Sequence, residues 1–403
     1  MINRMPIRDS QRLAILVLVA HYPPAYLAGG PTKSVFEVVN RFSRSLRFRV
    51  ITSAHDLGRK ELLSGIKPGR WTGTSGRTLY LSRRWAPLGI LRATRSAPHD
   101  VLYLNSVFSV LFTLVPLVSR RIGLIPRRGL VIAPRGELDE GALSLKSRRK
   151  AIYLIALRRL GLVDDVMWHA TTDLEVGAIV RTIGPEARAL VAPNIAVVED
   201  QLTRRNQKRS GYLRVVYLSR ITRKKNLRAG ISYLARVRGE VDFDIYGPIE
   251  DRRYWDDIQG EIEKLPPNVN ARYGGTVLAS DVSTVLASYD LFLLPTLGEN
   301  YGHAVVEALS AGCPVLISDR TPWRHLESQR AGWAISLAEP DRFRSVIQEC
   351  VGMTSEVHQQ WATGARSLAV RLSDDSAIEP AYRALFGAAA ASDGDLGRGT
   401  PTR

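Results

Sequence analysis

Cysteine is nearly missing from this sequence of 403 residues: Cys313 and Cys350 are the only two. Two thiols exclude a disulfide framework and a cysteine-ligated zinc site, and they suit a reducing cytoplasm. Long apolar runs are missing too, since none approaches the ~18–20 residues that cross a bilayer. The stretch Leu13–Ala20 follows Arg4, Arg8 and Arg12, as a signal peptide would, but Tyr22-Pro23-Pro24 comes next instead of a small-residue cleavage site. It reads as a first strand after a frayed leader at 1–11. Aromatic residues make up only 7%, and Trp71, Tyr80 and Trp85 are scattered instead of interleaved with basic clusters. That argues against a basic nucleic-acid-binding protein. No repeat recurs at a solenoid period. Acids are scarce in one half. Residues 1–200 carry 30 Lys and Arg against 15 Asp and Glu, and residues 201–403 carry 26 against 24, so +15 of the net +17 lies in the first half. A basic half-chain points to an anionic partner, nucleic acid or an acidic membrane face, unless the charge only reflects a basic proteome.

What is present is long enough for two ordinary domains. The most informative stretch is Tyr289–Asp319. Leu291-Phe292-Leu293-Leu294, closed by Pro295, reads as a strand buried on both faces. A polar loop follows over 296–302, then a helix from His303 to Ser310 stopped by Gly312-Pro314, then a strand at Val315-Leu316-Ile317. The loop therefore leaves the carboxyl end of a strand, where open parallel sheets bind ligands. Glu299 in the loop and Glu307 on the helix are separated by seven residues. The bland reading is a helix N-terminal charge and a solvated helical acid. Glu307, however, sits in Ala-Val-Val-Glu-Ala-Leu, where a carboxylate needs a partner.

Glu299-Asn300-Tyr301-Gly302, Glu307-Ala308-Leu309, Gly312 and Pro314-Val315 resemble the E-x7-E signature of the retaining glycosyltransferases of family 4, the glycosyl transferases group 1. The resemblance spans roughly 13–385 and is strongest from Leu213 to Leu337. It implies a GT-B fold: two Rossmann-like α/β domains facing each other across a cleft. It also implies hexosyl transfer from a nucleotide-diphosphate sugar, with no other cofactor and no metal, to a glycan or lipid-linked acceptor. Surface polysaccharide synthesis is the implied setting. Glu299 would contact the donor sugar and Glu307 the ribose hydroxyls, with Asn300, Tyr301, Gly302 and His303 as further donor contacts. Arg220 and Lys225, five apart in Arg220-Ile221-Thr222-Arg223-Lys224-Lys225-Asn226, would bind the diphosphate, with Arg223 and Lys224 as decoys. Fixed cations there would stabilise the charge that grows on the leaving diphosphate. Gly247 and Tyr273, at strand ends, would border the nucleotide. An enzyme alternative on the same fold is a UDP-sugar epimerase.

The first half alternates strands at 13–20, 47–54, 78–82, 100–105 and 129–134 with helical patterns such as Phe108–Ser119, the mark of a mainly parallel sheet. Gly29-Gly30-Pro31 joins the first strand to a helix with Val35, Val38, Val39, Phe42 and Leu46 on one stripe. That is either a plain turn or a phosphate-facing helix N-terminus. The resemblance favours the second and adds Gly29 and Gly30 to the donor site. Family members place a histidine near 134–138, but this sequence has Pro134-Arg135-Gly136-Glu137-Leu138, leaving Arg135 and Glu137 as candidates for a related task. His169, at the end of a strand over 165–172, either faces the cleft or is structural. Lys146–Arg159 carries Lys146, Arg148, Arg149, Lys150, Arg158 and Arg159 around Ile152, Tyr153, Ile155 and Leu157. It is either a core helix with a charged outer face or a helix lying on an anionic bilayer. This makes an anionic membrane surface a candidate partner and the inner face of the cytoplasmic membrane a candidate location. Asp242 and Asp244 form a D-x-D string inside a strand, away from the ligand edge, so no metal role is assigned to them. The expected domains are 1–200 on the acceptor side and 201–375 on the nucleotide-sugar side. A linker lies over 201–211, and a helix at 376–388 crosses back to the first domain. A disordered tail occupies 389–403, and Ser355 is the expected N-cap of a helix to Leu372.

Overall fold

The computed structural model describes residues 12–73, 77–83, 86–144, 147–198, 207–374 and 376–396. The expected leader at 1–11, Lys146, Trp85, most of the expected linker and residues 397–403 of the expected tail lie outside the described residues. The chain folds as two compact units, Met1–Ile195 with Ser376–Arg403, and Ala196–Asp375.

The first unit is built on eight strands: β1 (Ala14–Leu18), β2 (Arg47–Ser53), β3 (Trp71–Thr72), β4 (Arg77–Leu81), β5 (Val101–Asn105), β6 (Gly129–Ala133), β7 (Val166–Ala170) and β8 (Arg188–Val191). Their order is β3-β4-β2-β1-β5-β6-β7-β8, with β3 antiparallel to β4 and the other pairs parallel. β1, β5, β6 and β7 are buried at every residue, which is why they read as unbroken apolar runs. The helix Gly30–Phe42 buries Val35, Val38, Val39 and Phe42, the stripe its spacing predicts.

The second unit has six parallel strands: β9 (Tyr212–Leu218), β10 (Glu240–Tyr246), β11 (Val269–Gly275), β12 (Leu291–Leu294), β13 (Val315–Ser318) and β14 (Gly332–Ile335). Their order is β11-β10-β9-β12-β13-β14. Strand order reverses between β9 and β12, and in the first unit between β1 and β5. Both sheets are therefore doubly wound, with a crevice at the reversal point. The register of β9 on β12 is pinned at the amino end. Asp290, fully buried, accepts from the Arg214 backbone N–H (3.0 Å) and from its guanidinium at 2.8 and 3.0 Å, while its own N–H donates to the Arg214 carbonyl at 2.9 Å.

Three local expectations need correcting. The helix expected over Phe108–Ser119 is a π-helical turn at Val110–Leu114 followed by a helix at Val115–Arg121. Pro116 lacks an N–H, so it fits the first turn of a new helix and not the middle of an old one. The cap at 355 shifts by one: Thr354 Oγ1 accepts from the Val357 N–H at 3.4 Å, and Ser355 is the first helical residue. The tail expected to be disordered from 389 is helical to Leu396, as part of Ile378–Leu396. Alanines at 388–391 favour helix, and Ala389 is buried. A side chain at Gly129 on β6 would lie 2.5 Å from the Ala389 carbonyl oxygen, so glycine there lets this helix close onto the sheet.

Tyr382 and Phe386 of that helix are fully buried, with the Phe386 ring 5.3 Å from Tyr103 and 6.4 Å from Phe48. Phe386→Ala is expected to cost about 3–5 kcal/mol in urea unfolding of the full chain. A loss below ~1 kcal/mol would mean that the helix adds little to the unit.

Candidate functional site

β9 and β12 are parallel neighbours, with Val215 beside Leu291 and Val216 beside Phe292. Their carboxyl-end loops therefore leave the same sheet edge side by side, at the point where strand order reverses. The loops are laced together by backbone. The Lys224 carbonyl accepts from the Leu297 N–H at 2.8 Å and the Thr296 hydroxyl at 3.2 Å, and Asn226 Nδ2 donates to the Pro295 carbonyl at 2.9 Å. Asn226 holds a left-handed backbone at φ 54° that ends the tight basic turn. This lacing brings Lys225 onto Glu299, where the ammonium donates to Oε1 in an ion pair only 12% exposed on either side. Glu299 is fixed from a third loop by its N–H, which donates to the Arg320 carbonyl at 2.9 Å.

Arg223 lies elsewhere. Its guanidinium is half exposed, 3.3 Å from Asp251 and 5.4 Å from the Tyr254 ring centre. Arg220 meets Glu250 at 2.8 Å in a partly exposed pair. Glu250 follows β10 through Gly247-Pro248, and Gly247 is there for close approach. A side chain on it would come within 1.9 Å of the Ser219 carbonyl oxygen, and its φ of 137° suits glycine. The Tyr273 hydroxyl donates to the Gly247 carbonyl at 2.9 Å, and its ring packs 4.7 Å from Trp255. Beneath these loops lies the Tyr217 hydroxyl, fully buried and without a hydrogen-bond partner among the described residues. Burial first, then the nearby Tyr254 and Glu299, raise its pKa far above the usual phenol value.

The expected 300–307 contacts divide into two kinds. Tyr301 is buried, its ring 5.0 Å from His303 and 5.3 Å from Trp323, whose indole N–H donates to the Tyr301 carbonyl at 2.6 Å. Gly302 takes φ 79° and caps the helix His303–Ser310, its carbonyl accepting from Val305 at 2.9 Å. These two shape the turn. Asn300, His303 and Glu307 are half-buried at its rim, with Glu307 one turn along the helix between buried Val306 and Ala308. Asp242 accepts from the Tyr212 hydroxyl (2.5 Å) and Asn270 (3.0 Å), and Asp244 from Arg272 (3.0 Å) and the Tyr289 hydroxyl (2.8 Å). The D-x-D carboxylates thus serve cross-strand pairs.

In the first unit the loop after β1 is organised by Asp56. Its carboxylate accepts from the N–H groups of Tyr26 (3.1 Å), Leu27 (3.2 Å) and Leu57 (2.7 Å). Gly29 then takes φ 68° and caps a helix that begins at Gly30 with Pro31 in its first turn, so backbone N–H groups do end at this loop. After β6, Arg135 sits in a left-handed conformation at φ 55°. Its guanidinium donates to Asn105 Oδ1 (2.9 Å), Asn194 Oδ1 (3.0 Å) and the Tyr103 hydroxyl (2.6 Å). Glu137 accepts from the Ser106 hydroxyl (2.8 Å) and the N–H groups of Val107 (2.6 Å) and Phe108 (3.3 Å). Both residues are committed to their own unit's framework.

Residues 198–367 match the family of glycosyl transferases group 1. No curated protein matches the chain. Among solved structures, sucrose-phosphate synthase from Thermosynechococcus elongatus is similar at 15% identity and TM-score 0.72, over 94% of this chain and all of that one. HepE from Anabaena, solved with UDP and glucose, is similar at 15% identity and TM-score 0.69, over 94% of this chain and all of that one. WaaG, a glycosyltransferase involved in lipopolysaccharide biosynthesis, is similar at 16% identity and TM-score 0.60, over 96% of this chain and all of that one. The fold is GT-B, and the group 1 domain holds the laced loops. Within that domain the sequence named Arg220, Lys225, Glu299 and Glu307 but missed Glu250, Tyr217 and Trp323. The acid following Gly247-Pro248 was a readable signal for Glu250. Nothing local marked the other two.

His169 proves structural. It is fully buried, and its Nε2–H donates to the Ala192 carbonyl at 2.8 Å, so Nδ1 accepts from the Tyr103 hydroxyl at 2.7 Å. Burial, and then Arg135, lowers its pKa to about 3. The unfolded chain protonates this ring near pH ~6.5, and the folded one does not until far lower. Its contribution is therefore fully present above that value and falls by up to ~1.4 kcal/mol per pH unit as pH drops toward 3. His169→Gln should flatten the slope of unfolding free energy below about pH 6.5 relative to wild type. Equal slopes in a urea series would show that the ring is not held neutral.

Proposed function

We propose that this protein is a retaining glycosyltransferase. It moves a hexosyl group from a nucleotide-diphosphate sugar to a glycan or lipid-linked acceptor, in surface polysaccharide synthesis and at the cytoplasmic side of a membrane. The observation that carries the reading is the ion pair of Lys225 and Glu299 at the reversal point of the group 1 domain, with Arg220 in the same basic loop. Likeness to HepE, solved with UDP-glucose, supports a nucleotide-sugar donor. As the glycosidic bond breaks, charge grows on the diphosphate, and two cations drawn onto it stabilise that charge. They neutralise the leaving group, so the proposal requires no metal. The Arg220–Glu250 pair is partly exposed and worth at most about 1 kcal/mol, so a phosphate can take Arg220 at little cost. Lys225, drawn to the diphosphate, releases Glu299 to accept from a sugar hydroxyl. Glu307, set among apolar neighbours, accepts from the ribose hydroxyls. A thermal-shift panel of nucleotide sugars would identify the donor. Breakdown to free nucleotide with no glycosylated product would favour the epimerase instead.

Arg220→Ala and Lys225→Ala should each lower turnover by roughly 10²-fold or more, while Arg223→Ala stays within a few-fold. Lys225→Ala leaves Glu299 nearly buried and unpaired, so its melting curve must accompany the rate. A crippled Arg223→Ala beside an active Lys225→Ala would place the diphosphate at the other end of the turn.

The two glutamates should separate by calorimetry. Glu307→Gln should lose about 1–3 kcal/mol of affinity for the bare nucleoside diphosphate with an unchanged melting temperature. Glu299→Gln should keep that affinity and lose turnover with the full donor. Normal binding and turnover in both variants would remove these acids from the site.

A further inference from the structure

At the amino ends of β2 and β4 the first unit gathers arginines that no acid answers. Arg47 and Arg49 alternate with buried Phe48 and Val50, so both side chains leave one face of the sheet. Arg77, the first residue of β4, lies directly beside Arg49 in the parallel register. It shares that face, because the next matched pair, Ile51 and Leu79, belongs to one core cluster with Ile90 and Ala93 of the helix Ala86–Ser96. Neighbouring positions here are roughly 5 Å apart across the strands and about 7 Å along one. Among the described residues none of the three arginines meets a carboxylate. Like charges opposite each other on adjacent strands destabilise a sheet. Burial first, then Arg47 and Arg77, lowers the Arg49 pKa. The second unit shows the ordinary solution. β10 and β11 stand where β2 and β4 do in sheet order, and there Arg272 meets Asp244 at 3.0 Å. Arg49 is held in place: its Nη1 donates to the Pro98 carbonyl at 2.8 Å, just past the helix Ala86–Ser96. Next to Pro98 is buried His99. Its Nδ1–H donates to the Ala97 carbonyl at 2.7 Å, and its Nε2 is buried with no hydrogen-bond partner among the described residues. Burial first, then Arg128 and Arg49, lowers its pKa against the opposing pull of the Ala97 carbonyl and Asp100. The cluster thus joins crowded cations to a neutral ring whose second nitrogen is unsatisfied, and natural sequences keep such local conflicts where they serve a site.

We propose that this cluster is a binding site for a small phosphate-bearing anion, held by the guanidinium groups of Arg49 and Arg77 with Arg47 at its rim. Arginine forks match phosphate oxygens in pairs, and Arg49 keeps N–H groups to spare beyond its bond to Pro98. A bound anion removes the repulsion that the sheet otherwise bears. It also cancels the Arg49 charge that helps to hold His99 neutral, so the ring takes up a proton more readily. A nucleic acid is a poorer occupant. It would need a track of cations with open aromatic faces, whereas these three arginines meet at one point and Trp71, on neighbouring β3, packs against the core. The site lies at the amino ends of the strands, the opposite edge of the sheet from the loops after β1 and β6. It is therefore an effector-type site, able to tighten the first unit without occupying those loops. The inference does not rest on the transferase reading, because the anion binds here whatever the carboxyl edge does.

The test uses the full chain, histidine-labelled for NMR, in low-salt buffer free of phosphate. Pyrophosphate should move the His99 ring signal, identified by its loss in His99→Gln, and raise the pH at which that ring titrates. Arg49→Gln/Arg77→Gln should need ~10-fold or more pyrophosphate for the same response. Arg77→Gln alone, at an exposed side chain, should weaken the response too. It should melt no lower than wild type without pyrophosphate, since one member of the like-charge pair is gone. Arg220→Ala should leave the His99 response unchanged, which separates this site from any diphosphate contact in the second unit. A His99 signal indifferent to pyrophosphate overturns the proposal. So does a response that survives both arginine variants intact, a response lost in Arg220→Ala, or an Arg77→Gln protein that melts early. A single-stranded oligonucleotide that evokes the response at a lower phosphate concentration than pyrophosphate would assign the cluster to nucleic acid instead.

Discussion

The contact between β9 and β12 is the constraint on which the candidate site depends. Two residues 74 positions apart in sequence, Lys225 and Glu299, meet because these strands are adjacent and their register is held at both ends. At the amino end the Arg214–Asp290 pair fixes it, with Asp290 further tied by its carbonyl to His358 Nε2 at 2.8 Å. At the carboxyl end the Lys224 carbonyl and Asn226 side chain bind the second loop directly. A slip of one residue would turn every side chain of β12 to the other face and separate the pair. Breaking a nearly buried ion pair by removing one partner is expensive, because the other charge is left desolvated. The same property suits a site that exchanges partners when an anion enters.

The first unit solves a related problem with neutral groups. Arg135 is the one cation in a chain that runs through the Tyr103 hydroxyl and the His169 ring to the Ala192 carbonyl. Every step has a defined donor because its last acceptor is a backbone oxygen. The loop after β6 is thereby tied to β5, β7 and the residues following β8, with the buried rings of Tyr382 and Phe386 packed against Tyr103 and His169. Fully satisfied buried networks of this kind rigidify a core. Glu137 is held separately, by the Ser106 hydroxyl and the N–H groups of Val107 and Phe108.

Much of the architecture was legible along the chain. Unbroken apolar runs closed by Gly or Pro gave the parallel strands, alternation with helical stripes gave two α/β domains, and the Glu299–Glu307 frame gave the candidate site. These are local patterns, and local patterns survive in one dimension. Three kinds of fact did not. The helix was expected to end at 388, with a disordered tail after it, because the glycine on β6 against which Ala389 packs lies far away in sequence. Lys225 was preferred to Arg223 only through the resemblance, because both are cations on one turn, and only the lacing of two loops decides which meets the acid. His169 and Ile152 were ambiguous for the same reason: burial is a property of what packs on a residue, and only the tertiary structure supplies the neighbours that made one ring a structural link and left the other side chain facing water.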